Sequence, residues 1–395
     1  MLCLDLDNFK IVNDTLGHQA GDSLLQIAAK RIQAALRKDD FAARIGGDEF
    51  AILQLTKEQP SAAIALASRM VEIMQKPIAI GDQEVLVGVS VGIALAPADG
   101  SDADALLKSA DLALYRSKAD GRGTYSLFTS QMNDTMQARR VLELDLRSAL
   151  SADAFELFYQ PIVNISSNKV TSFEALLRWH HPQRGLLSPA EFIPIAEKTG
   201  LIVPIGEWVL HEACARAAKW PDDIHVAVNL SPAQLKSANF LRSVFDALSS
   251  AQLSPKRLEL EITESVLLQD SAAATATLRR LREIGVTISM DDFGTGYSSL
   301  SYLRKFPFDK IKIDQSFIRD LANGRDSIAI VHAITGLGNS LGVSTIAEGV
   351  ETAEQLDRLK EAGCTEAQGF FFGAAKPLNE ALSHLGRSRR LRVVA

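Results

Sequence analysis

From residue 155 onward the chain alternates short apolar runs with stretches of helical spacing. Eight such runs recur: "FELFYQPIV", "TSFEALLRW", "IHVAVNLS", "RLELEITE", "TISMDDFG", "KIKIDQS", "STIAEGV" and "EAQGFFFG". Eight strands, each followed by a helical stretch, over about 250 residues is the pattern of a (β/α)8 barrel of the TIM type. The first third reads differently. "MLCLDLDNF" is strand-like, with carboxylates at 5 and 7 among apolar residues. Residues 21–38 put Leu24, Leu25, Ile27, Ala28, Ile32 and Leu36 at helical intervals, with Asp22 near the favourable N-terminal end. "ARIGGDEFAIL" then sets two apolar runs around Gly46 and Gly47, the mark of a tight hairpin. A helix over 61–76, a strand over 84–95 and a helix over 103–119 complete an α/β domain.

These patterns divide the chain into a first domain over 1–128, a connecting helix over 129–140 and a barrel domain over 141–390. Helical spacing in the connector (Met132, Met136, Leu142, Leu146, Leu150) runs on to residue 150. A length of 395 residues fits two domains better than one core. The net charge of −6 argues against a nucleic-acid polymer as partner, so any phosphate ligand must be held by local cations or metal. Cys3, Cys214 and Cys364 match no metal-ligand spacing and suit a reducing compartment. No apolar run approaches a membrane span, and the expected location is cytoplasmic, with any anchor lying outside this sequence. The end, "GRSRRLRVVA", reads as a solvated tail.

Polar residues stand near the ends of the barrel strands: Gln160, Glu174, Asn229, Glu261, the Asp291–Asp292 pair, Lys312, Glu348 and Gln368. In a barrel these ends converge on one mouth, where such folds keep their chemistry. Five carboxylates with an Asn and without His or Cys make a hard oxygen cage, suited to Mg²⁺ or Mn²⁺ and not to zinc. Adjacent Asp291 and Asp292 are placed to bridge two metals, as in two-metal phosphoester hydrolysis. Lys312 is placed to orient water or to offset transition-state charge. An enolase-like barrel, with Lys312 as carbon-acid base, is the alternative on chemistry alone, although no arginine cluster for a substrate carboxylate is present.

The second half resembles the EAL-domain cyclic-di-GMP phosphodiesterases. The motifs are "EALLRW" (174–179), "VNLS" (228–231), "EITES" (261–265), "DDFGTGYSSL" (291–300), "KIKID" (310–314), "AEGVE" (347–351) and "QGF" (368–370). The resemblance implies metal ligation by Glu174, Asn229, Glu261, Asp291, Asp292 and Glu348. It gives Lys312 a part in activating water, with Glu174 and Glu348 in the catalytic set, and makes Glu264 the anchor of the glycine loop. Gln160, Leu176, Arg178 and Gln368 would contact the nucleotide.

The first domain is similar to the GGDEF diguanylate cyclases through "DLDNFKIVND" (5–14), "GHQAGD" (17–22), "RIGGDEF" (44–50) and "KSADLALYRSKADGRG" (108–123). That likeness implies a fold like the palm of polymerases, a central sheet flanked by helices. Asp5 and Asp48 would bind metal with GTP, and Glu49 would assist the attacking hydroxyl. Asn13 and Asp22 would read guanine, while Lys10, Lys118 and Arg122 would hold phosphates. Arg37 and Asp40 match the family's RxxD inhibitory site. A helix that precedes the first strand in the family is missing here, so an uncovered sheet face is expected. The combined expectation is a tandem GGDEF–EAL protein that opens cyclic-di-GMP to pGpG, with GTP as ligand of a regulatory or weakly active first domain. A homodimer goes with the family, because synthesis needs two facing GTP sites. A mainly synthetic bifunctional enzyme and a non-catalytic cyclic-di-GMP receptor are the alternatives.

Overall fold

Strand β1 (Leu2–Leu6) is buried at all five positions, because each face of it meets helices. In this computed structural model it is the middle strand of a sheet with β2 (Phe41–Gly46), β3 (Glu49–Leu53), β6 (Val89–Ile93) and β7 (Tyr125–Leu127), in the order β2-β3-β1-β6-β7. β4 (Ile78–Ile80) and β5 (Gln83–Val85) form a separate hairpin. The structure describes residues 1–81, 83–264, 272–294, 306, 308–321 and 325–383. The chain divides into two compact units, Met1–Val141 and Leu142–Ala395.

In the first unit the alternation of β1 sorts its neighbours. Leu2, Leu4 and Leu6 pack with residues of helices His18–Ala35 and Ser61–Met74, while Cys3 joins Leu106, Ala110 and Leu114 of helix Ala103–Ala119. Gly92 of β6 lets that last helix approach: a Cβ there would meet Ala110 O at 2.0 Å. β2 is exposed at all six positions, with Phe41 and Ile45 among the exposed apolar side chains. The strand expected over 84–95 is broken over residues 86–88, between β5 and β6, where the last residue of the gap is Gly88. Its missing side chain makes room for the Asp7 carboxylate, whose Oδ2 lies 2.8 Å from where a Cβ would stand. A short helix, Phe9–Leu16, is present where spacing alone predicts none.

In the second unit β8 (Phe155–Asn164), β9 (Lys169–His181), β11 (His225–Leu230), β12 (Leu258–Thr263), β13 (Thr287–Phe293), β14 (Lys310–Ile313), β15 (Ser344–Ala347) and β16 (Glu366–Gln368) pair in that order, and β16 pairs back to β8. β10 (Gly185–Leu187) and β17 (Lys376–Pro377) are appended to β9 and β8. These are the eight runs of the sequence, and they close a barrel. Its regularity departs from expectation at one strand. β8 runs antiparallel to both neighbours, because only residues 165–168 separate it from β9, too few for a crossover helix. Asn164 closes this hairpin, its Oδ1 accepting from Ser167 N at 2.9 Å, and Asn168 takes a left-handed φ of 53°.

The other seven strands run parallel, and helices Pro189–Thr199, Ile202–Ala217, Phe240–Ala251, Ala272–Glu283, Arg325–Leu341 and Ala353–Glu361 lie between them in sequence. Helix Ser130–Ala149 spans the unit boundary, and its Leu142, Leu146 and Ala149 are buried in the barrel's core with Phe155 and Trp179. Residues 295–300 of the glycine loop and the Arg-rich end lie outside the described residues. Among the described residues no helix is long and apolar enough to cross a membrane.

Candidate active site

The carboxyl ends of the parallel strands bring a cation and several carboxylates to one place. Lys312 on β14 is 1% exposed, and its Nζ lies 2.8 Å from Glu261 Oε2, 3.2 Å from Asp291 Oδ1 and 2.7 Å from Glu348 Oε1. Glu174 on β9 is held from two sides: Asn229 Nδ2 donates to its Oε1 at 2.6 Å and Gln368 Nε2 donates to its Oε2 at 2.5 Å. Gln368 also donates to Gln160 Oε1 at 3.0 Å. Gln160 reaches the mouth from the middle of β8, not from its end, because that strand is reversed and pairs Gln160 with Glu174.

Asp291 and Asp292 present a geometric problem, since successive strand residues face opposite ways. A register shift between Met290 and Phe293 interrupts the β13–β14 ladder at this point, and Asp292 takes a left-handed φ of 54°. The bulge re-aims the second side chain. Asp292 N donates to Asp291 Oδ1 at 3.0 Å, and ligand oxygens of Asp291, Asp292 and Glu348 lie within 4.8 Å of one another. An all-oxygen set of this kind fits a hard divalent cation.

Titration reflects the excess of negative charge. Burial opposes charge on Lys312, but Glu174, Glu261, Glu348 and Asp291 outweigh it and keep the ammonium protonated well above its usual range. One cation does not satisfy all of them. Burial, against the pull of Lys312, pushes Glu261 well up and Glu348 up to about 7, with neighbouring carboxylates adding to both shifts. Burial and the Asp291 charge raise Asp292 as well. Glu174 is also pushed up by burial, yet Lys312 and the hydrogen bonds from Gln368 and Asn229 carry it below the ordinary carboxylate value.

Beside this cluster is a cavity of about 510 Å³, walled by Leu176, Ile193, Pro194, Val209 and Asn229, with Glu197 on its lining. Arg178 stands apart from the carboxylates, its guanidinium 5.2 Å from the Phe158 ring centre and bonded to Leu177 O. Glu264 is buried three residues past Glu261, just beyond the end of β12, but the loop assigned to it lies outside the described residues. The motifs marked one wall of this cavity, through Leu176 and Asn229; the opposite wall, Ile193 and Pro194, was signalled only by the apolar spacing of "EFIPIAE".

The first unit gathers its own polar set. Asp5, at the end of β1, pairs with Glu49 of β3 in register, and Leu6 N donates to Asp48 O at 3.3 Å. Lys118 Nζ lies 2.6 Å from Asp5 Oδ2; burial still raises Asp5 above its usual range, against that pull. Asn13 lies against Gly21, where a Cβ would stand 1.9 Å from its Oδ1, next to Asp22. Lys10 and Arg122 are exposed, the latter at φ 64°. Arg37 and Asp40 close a turn, Arg37 N donating to Asp40 Oδ2 at 3.0 Å. Asp7, which no motif role covered, accepts from Ser90 Oγ at 2.7 Å and Gly123 N at 2.9 Å and so fastens the 121–123 loop.

Residues 143–377 match the EAL domain family, and residues 1–124 match the diguanylate cyclase GGDEF domain. The bifunctional diguanylate cyclase/cyclic di-GMP phosphodiesterase MucR of Pseudomonas aeruginosa is 46% identical over 387 residues, covering 97% of this chain and 56% of that protein. An uncharacterized signaling protein of Caulobacter vibrioides is 48% identical over 380 residues, covering 96% and 47%. The chain spans about half the length of these curated relatives. Among solved structures, the PaMucR phosphodiesterase in complex with c-di-GMP superposes with a TM-score of 0.59 at 48% identity, over 61% of this chain and 99% of that one. The closed barrel, its carboxylate mouth and these matches together place the chain in the EAL domain family, with a GGDEF domain ahead of the barrel.

Proposed function

We propose that the barrel hydrolyses one phosphodiester of cyclic-di-GMP, releasing the linear dinucleotide pGpG. The observation that carries this reading is the Lys312 centre, a buried ammonium bonded to Glu261, Asp291 and Glu348 beside a Glu174 fixed by two amides. In the reaction a water oxygen bonds to phosphorus, the bond from phosphorus to O3′ breaks, and the leaving alkoxide takes a proton. Glu174, Asn229, Glu261, Asp291, Asp292 and Glu348 are the residues that would hold two Mg²⁺ or Mn²⁺ ions. When bound, such ions supply charge stabilisation of the phosphoryl oxygens and an acidified water. Lys312, kept protonated, orients the incoming water and offsets negative charge at phosphorus. Gln368 and Asn229 hold Glu174 in one orientation, and the apolar cavity beside Leu176 accommodates a guanine face. Glu264 anchors the loop that follows β13, and Arg178 meets a phosphate or base edge.

In the same reading the first unit binds GTP and regulates the barrel, with Asp5, Asp48 and Glu49 at the metal end and Asn13 and Asp22 at guanine. A reducing, cytoplasmic setting goes with this, and Cys3, Cys214 and Cys364 are free and buried. Incubation of the purified chain with cyclic-di-GMP and Mg²⁺, resolved by chromatography, is expected to yield pGpG. Lys312→Ala is expected to lower kcat about a hundredfold or more. Undiminished hydrolysis in excess chelator would sink the two-metal reading.

A further inference from the structure

One layer below the Lys312 centre lies a second set of buried charges that the proposed reaction does not use. Lys310 Nζ is 2.9 Å from Glu259 Oε2 and 2.8 Å from Glu366 Oε2, and Thr171 Oγ1 donates to Glu366 Oε1 at 2.5 Å. Glu259 is 0% exposed and Glu366 7%. Each member stands two residues before a member of the upper layer: Glu259 before Glu261 on β12, Lys310 before Lys312 on β14, Glu366 before Gln368 on β16. The strand period of two therefore puts both layers on the barrel's inner face, one above the other.

Stability does not account for three charges there. A buried ion triplet pays heavily in desolvation, and apolar residues of like volume usually serve folding as well or better. Geometry does account for them. β12, β14 and β16 are not neighbours; β13 lies between β12 and β14, and β15 between β14 and β16. Main-chain ladders fix neighbours only, and the β13–β14 ladder is the one interrupted by the bulge at Asp291–Asp292. Up to the Met290–Ile311 pair the ladders keep register, matching Glu261 to Ser289 and Ser289 to Lys310, but Lys312 stands opposite the shift and lacks a direct β13 reference at its own level. Lys310 supplies a substitute, tying β12 and β16 directly to β14.

We propose that Glu259, Lys310 and Glu366 are positioning residues that hold β12, β14 and β16 level, so that Glu261, Lys312 and Gln368 meet at reacting distance. This rests on the hydrolytic reading above, and wild-type turnover of cyclic-di-GMP tests that reading separately. The test replaces the triplet by apolar residues, Glu259→Leu/Lys310→Met/Glu366→Leu, in the full chain, with folding checked by circular dichroism and melting. A misplacement near 1 Å lowers kcat by about ten- to a hundredfold at saturating Mn²⁺, with KM within about threefold of wild type. Mn²⁺ titration followed by electron paramagnetic resonance, without nucleotide, reads the same displacement at Glu261, and affinity is expected to weaken by about fivefold or more. The conservative Glu259→Gln keeps an acceptor for Lys310 and is expected to retain about a third or more of kcat. A folded triple variant with wild-type kcat and wild-type Mn²⁺ affinity would overturn the proposal. Should the triple variant not fold, Glu259→Ala assayed well below its Tm decides in its place, and wild-type kcat per folded molecule refutes the idea.

Discussion

Asp292 meets two demands at one position, a carboxylate and a left-handed backbone at φ 54°. Asn shares the tolerance of that region, whereas a β-branched residue does not. Asp292→Asn should therefore weaken Mn²⁺ binding and leave urea stability nearly unchanged. Asp292→Val should weaken Mn²⁺ and lose a further ~1–2 kcal/mol. Equal stability of the two variants would show that the bulge relaxes without cost.

Glu348 makes a prediction about pH. In the metal-free folded chain it is pushed up to about 7, while in the unfolded chain it titrates near the ordinary carboxylate value. Between those values the folded state binds more protons, so stability falls as pH rises. Urea denaturation in chelator should show a loss on the order of 3 kcal/mol between pH 5 and 8 that Glu348→Gln lacks. Parallel pH slopes for the two proteins would refute the assignment. The carboxylates of the mouth were legible in the sequence, because charges at the ends of apolar runs stand out. The bulge was not, since nothing in "DDF" announces an extra residue. The lower charge layer was visible as period two in "LELE" and "KIKI", yet it reads equally well as a solvated strand face.

Elements carry the site through their ends. Helix Ala353–Glu361 begins five residues after Glu348, with Thr352 as its cap: Thr352 Oγ1 accepts from Gln355 N at 3.2 Å, and Gln355 Oε1 accepts from Thr352 N at 3.0 Å. Gln355 also donates to Ile318 O at 3.0 Å while buried. Thr352→Ala is expected to cost about 1 kcal/mol. Gln355→Ala should cost more, roughly 2–3 kcal/mol, because it strands buried backbone groups. Chemical denaturation ranks the pair, and the reverse order would show that the cap matters more than the buried amide. All eight barrel strands were legible from apolar runs bounded by turns. The direction of β8 was not: hydrophobic periodicity is the same for a strand read up or down, and only the short 165–168 link reveals the reversal.

At the scale of the molecule, the compact units Met1–Val141 and Leu142–Ala395 predict separable behaviour. The barrel unit made alone should hydrolyse cyclic-di-GMP with kcat within about threefold of the full chain, since the Lys312 centre is built from its own strands. GTP should alter the kinetics of the full chain and leave the isolated barrel untouched, because a ligand shifts only an equilibrium in which it binds the states differently. A saturating GTP titration without effect on the full chain would remove the coupling. The two-domain division was legible from the change of pattern near residue 128, whereas the two compact units meet at Val141, within a continuous helix that has no break to read. The strand that completes the barrel is β16, and its Gln368 reaches back across 208 residues to Gln160 and across 194 to Glu174. Synthesis on the ribosome proceeds from the other end. A nascent chain therefore carries Glu174, Asn229, Glu261 and Lys312 long before it has the strand that closes the cylinder, and Glu174 goes without the Gln368 amide that fixes it until translation of the barrel is almost complete.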